Sequence, residues 1–127
     1  MNGRRALSLV AAISGLYDVV VGASLLLLRG QMAAWFATPL PVPPIHADLN
    51  ALFLLCVGAG YWLPYREPLR YRGYLWVMGP LLKGLGAGAF LLDYTYRGSP
   101  ESFLLFAASD GTLAAITLWV LLATRHL

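Results

Sequence analysis

The sequence predicts an all-α integral membrane protein, a four-helix bundle with both termini in the cytoplasm. Hydrophobic residues make up 59% of the 127-residue chain and charged residues 12%, against roughly a quarter charged in an ordinary soluble domain. Mean hydropathy is +0.67. The apolar residues also come in four long blocks rather than in amphipathic stripes. A spanning helix needs about 20 largely apolar residues, and only helices or closed barrels satisfy every backbone group in lipid. The blocks do not alternate in polarity, which excludes a barrel. They fill nearly the whole chain, so residues 1–127 are expected to form a single transmembrane domain.

The first helix is expected over residues 6–28. Arg4 and Arg5 before an apolar run resemble a secretory signal, but the run is too long and lacks a small-x-small exit, so it reads as an uncleaved span. The next connection is the longest. Its first half sets Met32, Trp35 and Phe36 at helical spacing, as for a segment lying flat on a bilayer. Its second half is stiffened by Pro39, Pro41, Pro43 and Pro44, which fix φ and remove donors. The second helix is expected over 45–63, the third over 73–92 and the fourth over 102–123. Ser99, Pro100 and Glu101 ahead of the fourth form an N-cap, a first-turn proline and a first-turn acid.

Four spans put both termini and the middle loop on one side. That side carries Arg4, Arg5, Arg66, Arg70, Arg72 and Arg125, whereas the other has only Arg29 and Arg97. The positive-inside rule then places the termini in the cytoplasm of a cell whose inner (plasma) membrane holds the chain. The arginine- and tyrosine-bearing middle loop reads as an interface anchor, each arginine worth about 1 kcal/mol against anionic lipid. The pI near 9.3 has the same source and implies no nucleic-acid partner.

The informative residues are those out of place in hydrocarbon. Asp18 falls near the middle of the first span, Lys83 near the middle of the third and Asp110 somewhat before the middle of the fourth. Each costs about 2.5–3.5 kcal/mol at a helix centre, so they are expected to face inward and meet one another or water. Residues three and four apart share a helix face. The face around Asp18 reads Ala11, Gly15, Gly22; around Lys83 it reads Gly79, Gly86, Ala87; around Asp110 it reads Ala107, Ala114, Thr117. Small-residue stripes of this kind let helices approach closely. Two carboxyls and one ammonium sum to −1, so in a shared dry cavity one carboxyl is expected to keep its proton. His46 and Asn50, four apart at the start of the second span, are further candidates for binding or proton handling. Asp48 there suits the helix dipole in any case.

Cys56 is the one cysteine, so neither an internal disulfide nor a Cys-x-x-Cys pair can form. No set of histidines, cysteines and acids has metal-ligand spacing, and no phosphate loop or nucleophile elbow is present. No cofactor, metal or catalytic residue is assigned.

The Leu16-Tyr17-Asp18…Gly22 stretch, the proline-rich connection before His46, Gly58-Ala59-Gly60-Tyr61 and Asp110-Gly111 together resemble the small bacterial DoxX-like membrane proteins over nearly the whole chain. The resemblance implies four membrane helices and, through some members, an accessory role in redox chemistry; the single cysteine departs from a disulfide-handling role. The chain is also similar in length and span number to small multidrug-resistance transporters, a resemblance under which Asp18 would alternately bind a proton and a cationic drug. Lys83, Asp110 and the proline-rich connection depart from that pattern. The expected role is a non-enzymatic accessory or scaffold component. A proton-coupled carrier or small-molecule-binding protein stands second, and a membrane enzyme acting on a lipophilic substrate third. Expected partners are the bilayer, a second copy or another membrane protein, and a lipophilic small molecule.

Overall fold

Asn2 starts the first helix, its side-chain oxygen accepting from Arg5 N at 2.8 Å and satisfying one of the unpaired first-turn donors. In this computed structural model, which describes residues 2–127, that helix (α1) covers Gly3–Leu27. A short α2 follows over Arg29–Trp35. The remaining helices are α3 over Ile45–Arg66, α4 over Arg72–Arg97 and α5 over Glu101–Ala123. The chain is all-α among its described residues, and α1, α3, α4 and α5 are each long and apolar enough to cross a membrane.

Two elements depart from the hydropathy pattern. α4 continues past Leu92 to Arg97 because the last turns have their own support. Arg97 reaches Asp93 at 3.3 Å, Thr95 Oγ1 donates to the Leu91 carbonyl at 2.8 Å, and Gly98 ends the helix at φ +70°. Ser99 does not cap α5. Its hydroxyl donates back to the Asp93 carboxylate, a stronger acceptor, and α5 opens instead with a 3₁₀ turn over Glu101–Phe103.

Pro80 has no N–H to offer and would crowd the preceding turn of α4. The helix accommodates it by widening into a π-helical stretch over Val77–Lys83, the kind of distortion often found at functional sites. That stretch ends on Lys83 and buries it together with Gly79.

α1 runs antiparallel along α3, α4 packs on α5, and α1 also touches α5. The α1–α3 seam is a backbone-to-backbone approach that only glycine allows. A Cβ on Gly58 would lie 2.9 Å from both Gly15 O and Val19 N, and one on Gly22 would lie 2.9 Å from Ala51 O. α3 and α4, by contrast, meet near one end only. There Tyr74 donates its hydroxyl to the Val57 carbonyl and stands edge-on to Tyr61 at a ring distance of 5.1 Å. Further along, among the described residues, their faces do not pack together. The buried apolar core of Leu7, Ala11, Val57, Tyr61, Leu75 and Leu121 fills the half of the bundle where α1 begins and α5 finishes.

Gly58→Ala should therefore lower stability in detergent by about 1–3 kcal/mol, the usual range for overpacking. Gly88→Ala, whose added Cβ meets nothing within 4 Å, should be neutral or stabilising. Thermal unfolding of the two variants side by side checks the seam, and equal melting temperatures would contradict it.

Candidate functional site

Asp18 and Lys83 come from helices that do not pack along each other, yet their side chains meet. Lys83 Nζ donates to Asp18 Oδ1 at 2.5 Å, and the two side chains are 4% and 1% exposed. Small residues on the same faces let each helix sit close to its packing partner. Gly15 and Gly22 are buried on the Asp18 face of α1, and Gly79 is buried one turn before Lys83 with Thr117 of α5 against it. Burying such a pair is worthwhile only when the geometry is good, because each ion gives up several kcal/mol of hydration. The short, direct contact meets that condition.

Asp110 makes no ion pair among the described residues. It lies beside the other two as part of the floor of a cavity of about 430 Å³ that Asp18 and Lys83 also line. Tyr17 completes the floor. Ser109 Oγ donates to the Leu105 carbonyl at 2.8 Å, which leaves the Tyr17 hydroxyl as the donor in its 2.6 Å contact with Ser109. The Tyr17 ring in turn lies 5.1 Å from Lys83 Nζ, within range of a cation–π contact. Toward the termini, the hydroxyls of Ser14, Tyr61 and Thr117 and the second Asp18 oxygen are buried without a hydrogen-bonding partner. The polar groups around the pair thus retain unused hydrogen-bonding capacity.

The walls above this floor are apolar and largely aromatic: Phe36, Phe53, Phe90, Phe103 and Phe106, with Leu82. Phe90 stacks on Phe106 at 5.4 Å, and Phe36 meets Phe106 at 5.1 Å. The roof is α2 and the proline-rich segment, through Met32, Ala33, Thr38, Pro39 and Pro41. Two ties hold it down. Arg29 pairs with Asp48 at the start of α3, and Ser102 of α5 donates to the Phe36 carbonyl at 2.7 Å. Ala37, just after α2, takes a left-handed φ of 50° and turns the chain back over the cavity.

The sequence candidates therefore divide. Asp18, Lys83, Asp110 and Asn50 line one cavity, whereas His46 is exposed at the start of α3 and lines none of it. Asp48, assigned from the sequence to the helix dipole alone, has Arg29 as a partner. Tyr17 and the phenylalanine wall escaped sequence reading. Tyr17 sits one residue from Asp18, where helical spacing points it elsewhere, and the phenylalanines come from four separate segments. Only Phe103 and Phe106, three apart on α5, carried a local signal. No group of histidine, cysteine and acidic residues suited to a metal is found among the described residues. Comparison with known protein families, curated proteins and solved structures finds no match to this chain.

Removing one partner of the pair leaves a buried uncompensated charge, so Lys83→Met and Asp18→Leu should each destabilise by about 3–5 kcal/mol. The double variant should recover most of that loss, since an apolar pair of similar volume is tolerated. A double-mutant cycle on detergent unfolding measures this; simple additivity of the two losses would show that the side chains are not coupled.

Proposed function

We propose that this protein is a multi-pass inner-membrane protein that binds a small lipophilic molecule between its charged floor and the α2 roof. The cavity carries the reading. An ion pair serving only to lock helix register needs no apolar recess of about 430 Å³ above it. An apolar chamber of this size with a few convergent polar groups at one end is the usual form of a small-molecule site. The Asp18–Lys83 pair, with Asp110 and Tyr17, is the polar end that orients the ligand. The aromatic wall supplies most of the contact area. This favours the ligand-binding alternative over a purely structural scaffold, while kinship with the DoxX-like group rests on layout alone.

The arginine asymmetry supports an orientation with both termini in the cytoplasm and the α2 roof outside. In a Cys56→Ser background, Gly30→Cys should react with a membrane-impermeant maleimide added to intact cells and His126→Cys only after lysis. The reverse pattern would invert the topology.

Gly86 offers the direct test of binding. An added Cβ there meets only Asp110 Oδ2, at an ordinary 3.7 Å, so a larger side chain grows into the chamber without striking backbone. Gly86→Leu should retain the melting temperature of the unchanged protein while losing saturable binding of lipophilic ligands, and any small molecule that co-purifies with the native chain should be absent from it by mass spectrometry. Undiminished binding in Gly86→Leu would place the ligand elsewhere.

A further inference from the structure

The chamber is roofed above and open at one side. The Arg29–Asp48 pair and the Ser102–Phe36 hydrogen bond fasten the roof at both ends of α2. Between α3 and α4 nothing equivalent is found among the described residues, because beyond Tyr74 these helices do not pack face to face. The wall there depends on Gly86, which has no side chain, and on the ring of Phe90. Both residues line the chamber, and both also line a second groove on α4 that continues over Ala89, Asp93 and Tyr96. Phe90 thus stands where the chamber meets the outer face of α4. Its ring is held by a stack on Phe106 and an edge contact to Phe103 at 6.2 Å, two weak aromatic contacts. A rotamer change of Phe90 would widen or narrow that side opening.

We infer that Phe90 is a side gate through which the ligand passes between the bilayer and the chamber, and that the ligand is a compact membrane-dissolved molecule with a hydroxyl head. The inference rests on the ligand-binding reading above. Size limits the class: about 430 Å³ suits a drug-sized molecule, not a two-chain phospholipid. The route limits the head. Passing sideways through hydrocarbon to the middle of the spans is costly for a charged group, which disfavours ammonium and carboxylate heads. The floor limits it further. Lys83 offers donors, while Asp110 and the oxygen of Tyr17, whose proton goes to Ser109, are acceptors. An alcohol or phenol both donates and accepts, so one hydroxyl can engage both kinds.

Pyrenemethanol dissolved in phosphatidylcholine nanodiscs that carry the full chain is a suitable probe, read as the part of tryptophan quenching that Gly86→Leu abolishes. Ala89 is exposed and lines the outer groove but not the chamber. Ala89→Phe should slow association and release about tenfold each, leaving Kd unchanged, as a narrowed passage requires. Asp48→Ala, which unties the roof, should leave both rates as they were. Pyrenecarboxylate should bind at least about tenfold more weakly than the alcohol. Faster exchange in Asp48→Ala with no change in Ala89→Phe would route the ligand through the roof and overturn the gate, while binding itself stood. Equal or tighter binding of the carboxylate would overturn the head assignment alone. Quenching insensitive to Gly86→Leu would overturn the binding reading and the gate together.

Discussion

Everything in this bundle is arranged around one costly contact, the meeting of Lys83 with Asp18 away from water. Neither side chain could be left singly in an apolar interior, and bringing them to 2.5 Å requires the α1 and α4 backbones to come within reach of each other. Glycines on the flanking seams set that distance indirectly, through α3 and α5. Gly15 and Gly22 bring α1 hard against α3, Gly79 seats α4 on Thr117, and the π-helical stretch forced by Pro80 ends on the lysine. The proline is thus a helix fault that the site exploits: it distorts the one turn whose last residue must be buried.

The contact also divides the molecule. On the side of the termini, Leu7, Val57, Tyr61, Leu75 and Leu121 close the bundle as an ordinary packed core. On the α2 side the helices diverge, since α3 is held to α1 by its glycine seam and α4 to α5, with little to draw the two pairs together. Helices in lipid associate through close packing rather than hydrophobic exclusion, so a pair without matching small residues has no strong reason to close. The gap becomes a chamber because phenylalanines line it and a strapped-down loop covers it. The same divergence leaves the flank of α4 thin at Gly86 and Phe90.

Much of the architecture was legible in the residues themselves. Hydropathy and length lead directly to four helices long and apolar enough to cross a membrane, because a span must be about 20 apolar residues long whatever it packs against. Helical spacing around each charge pointed to the small-residue faces that turn out to be buried at Gly15, Gly22, Gly79 and Ala114. Local pattern failed where partners compete across the chain. Ser99 had the position of a cap but was taken by Asp93, and Asp48 had the position of a dipole-complementing acid but was taken by Arg29. The candidate site was half legible, since its charges stand out against lipid and its aromatic walls do not.

By itself the sequence determined which segments must leave water and which three charges could not face hydrocarbon, because transfer free energies belong to residues and need no neighbours. Only the tertiary structure decided that Lys83 pairs with Asp18 and not with Asp110, that Tyr17 and five phenylalanines from four segments line one chamber, and that α3 and α4 leave it unpacked at one side. Those outcomes depend on how glycine seams set the distances between helices. Such distances are a property of pairs of faces, and no single stretch of chain contains both members of a pair.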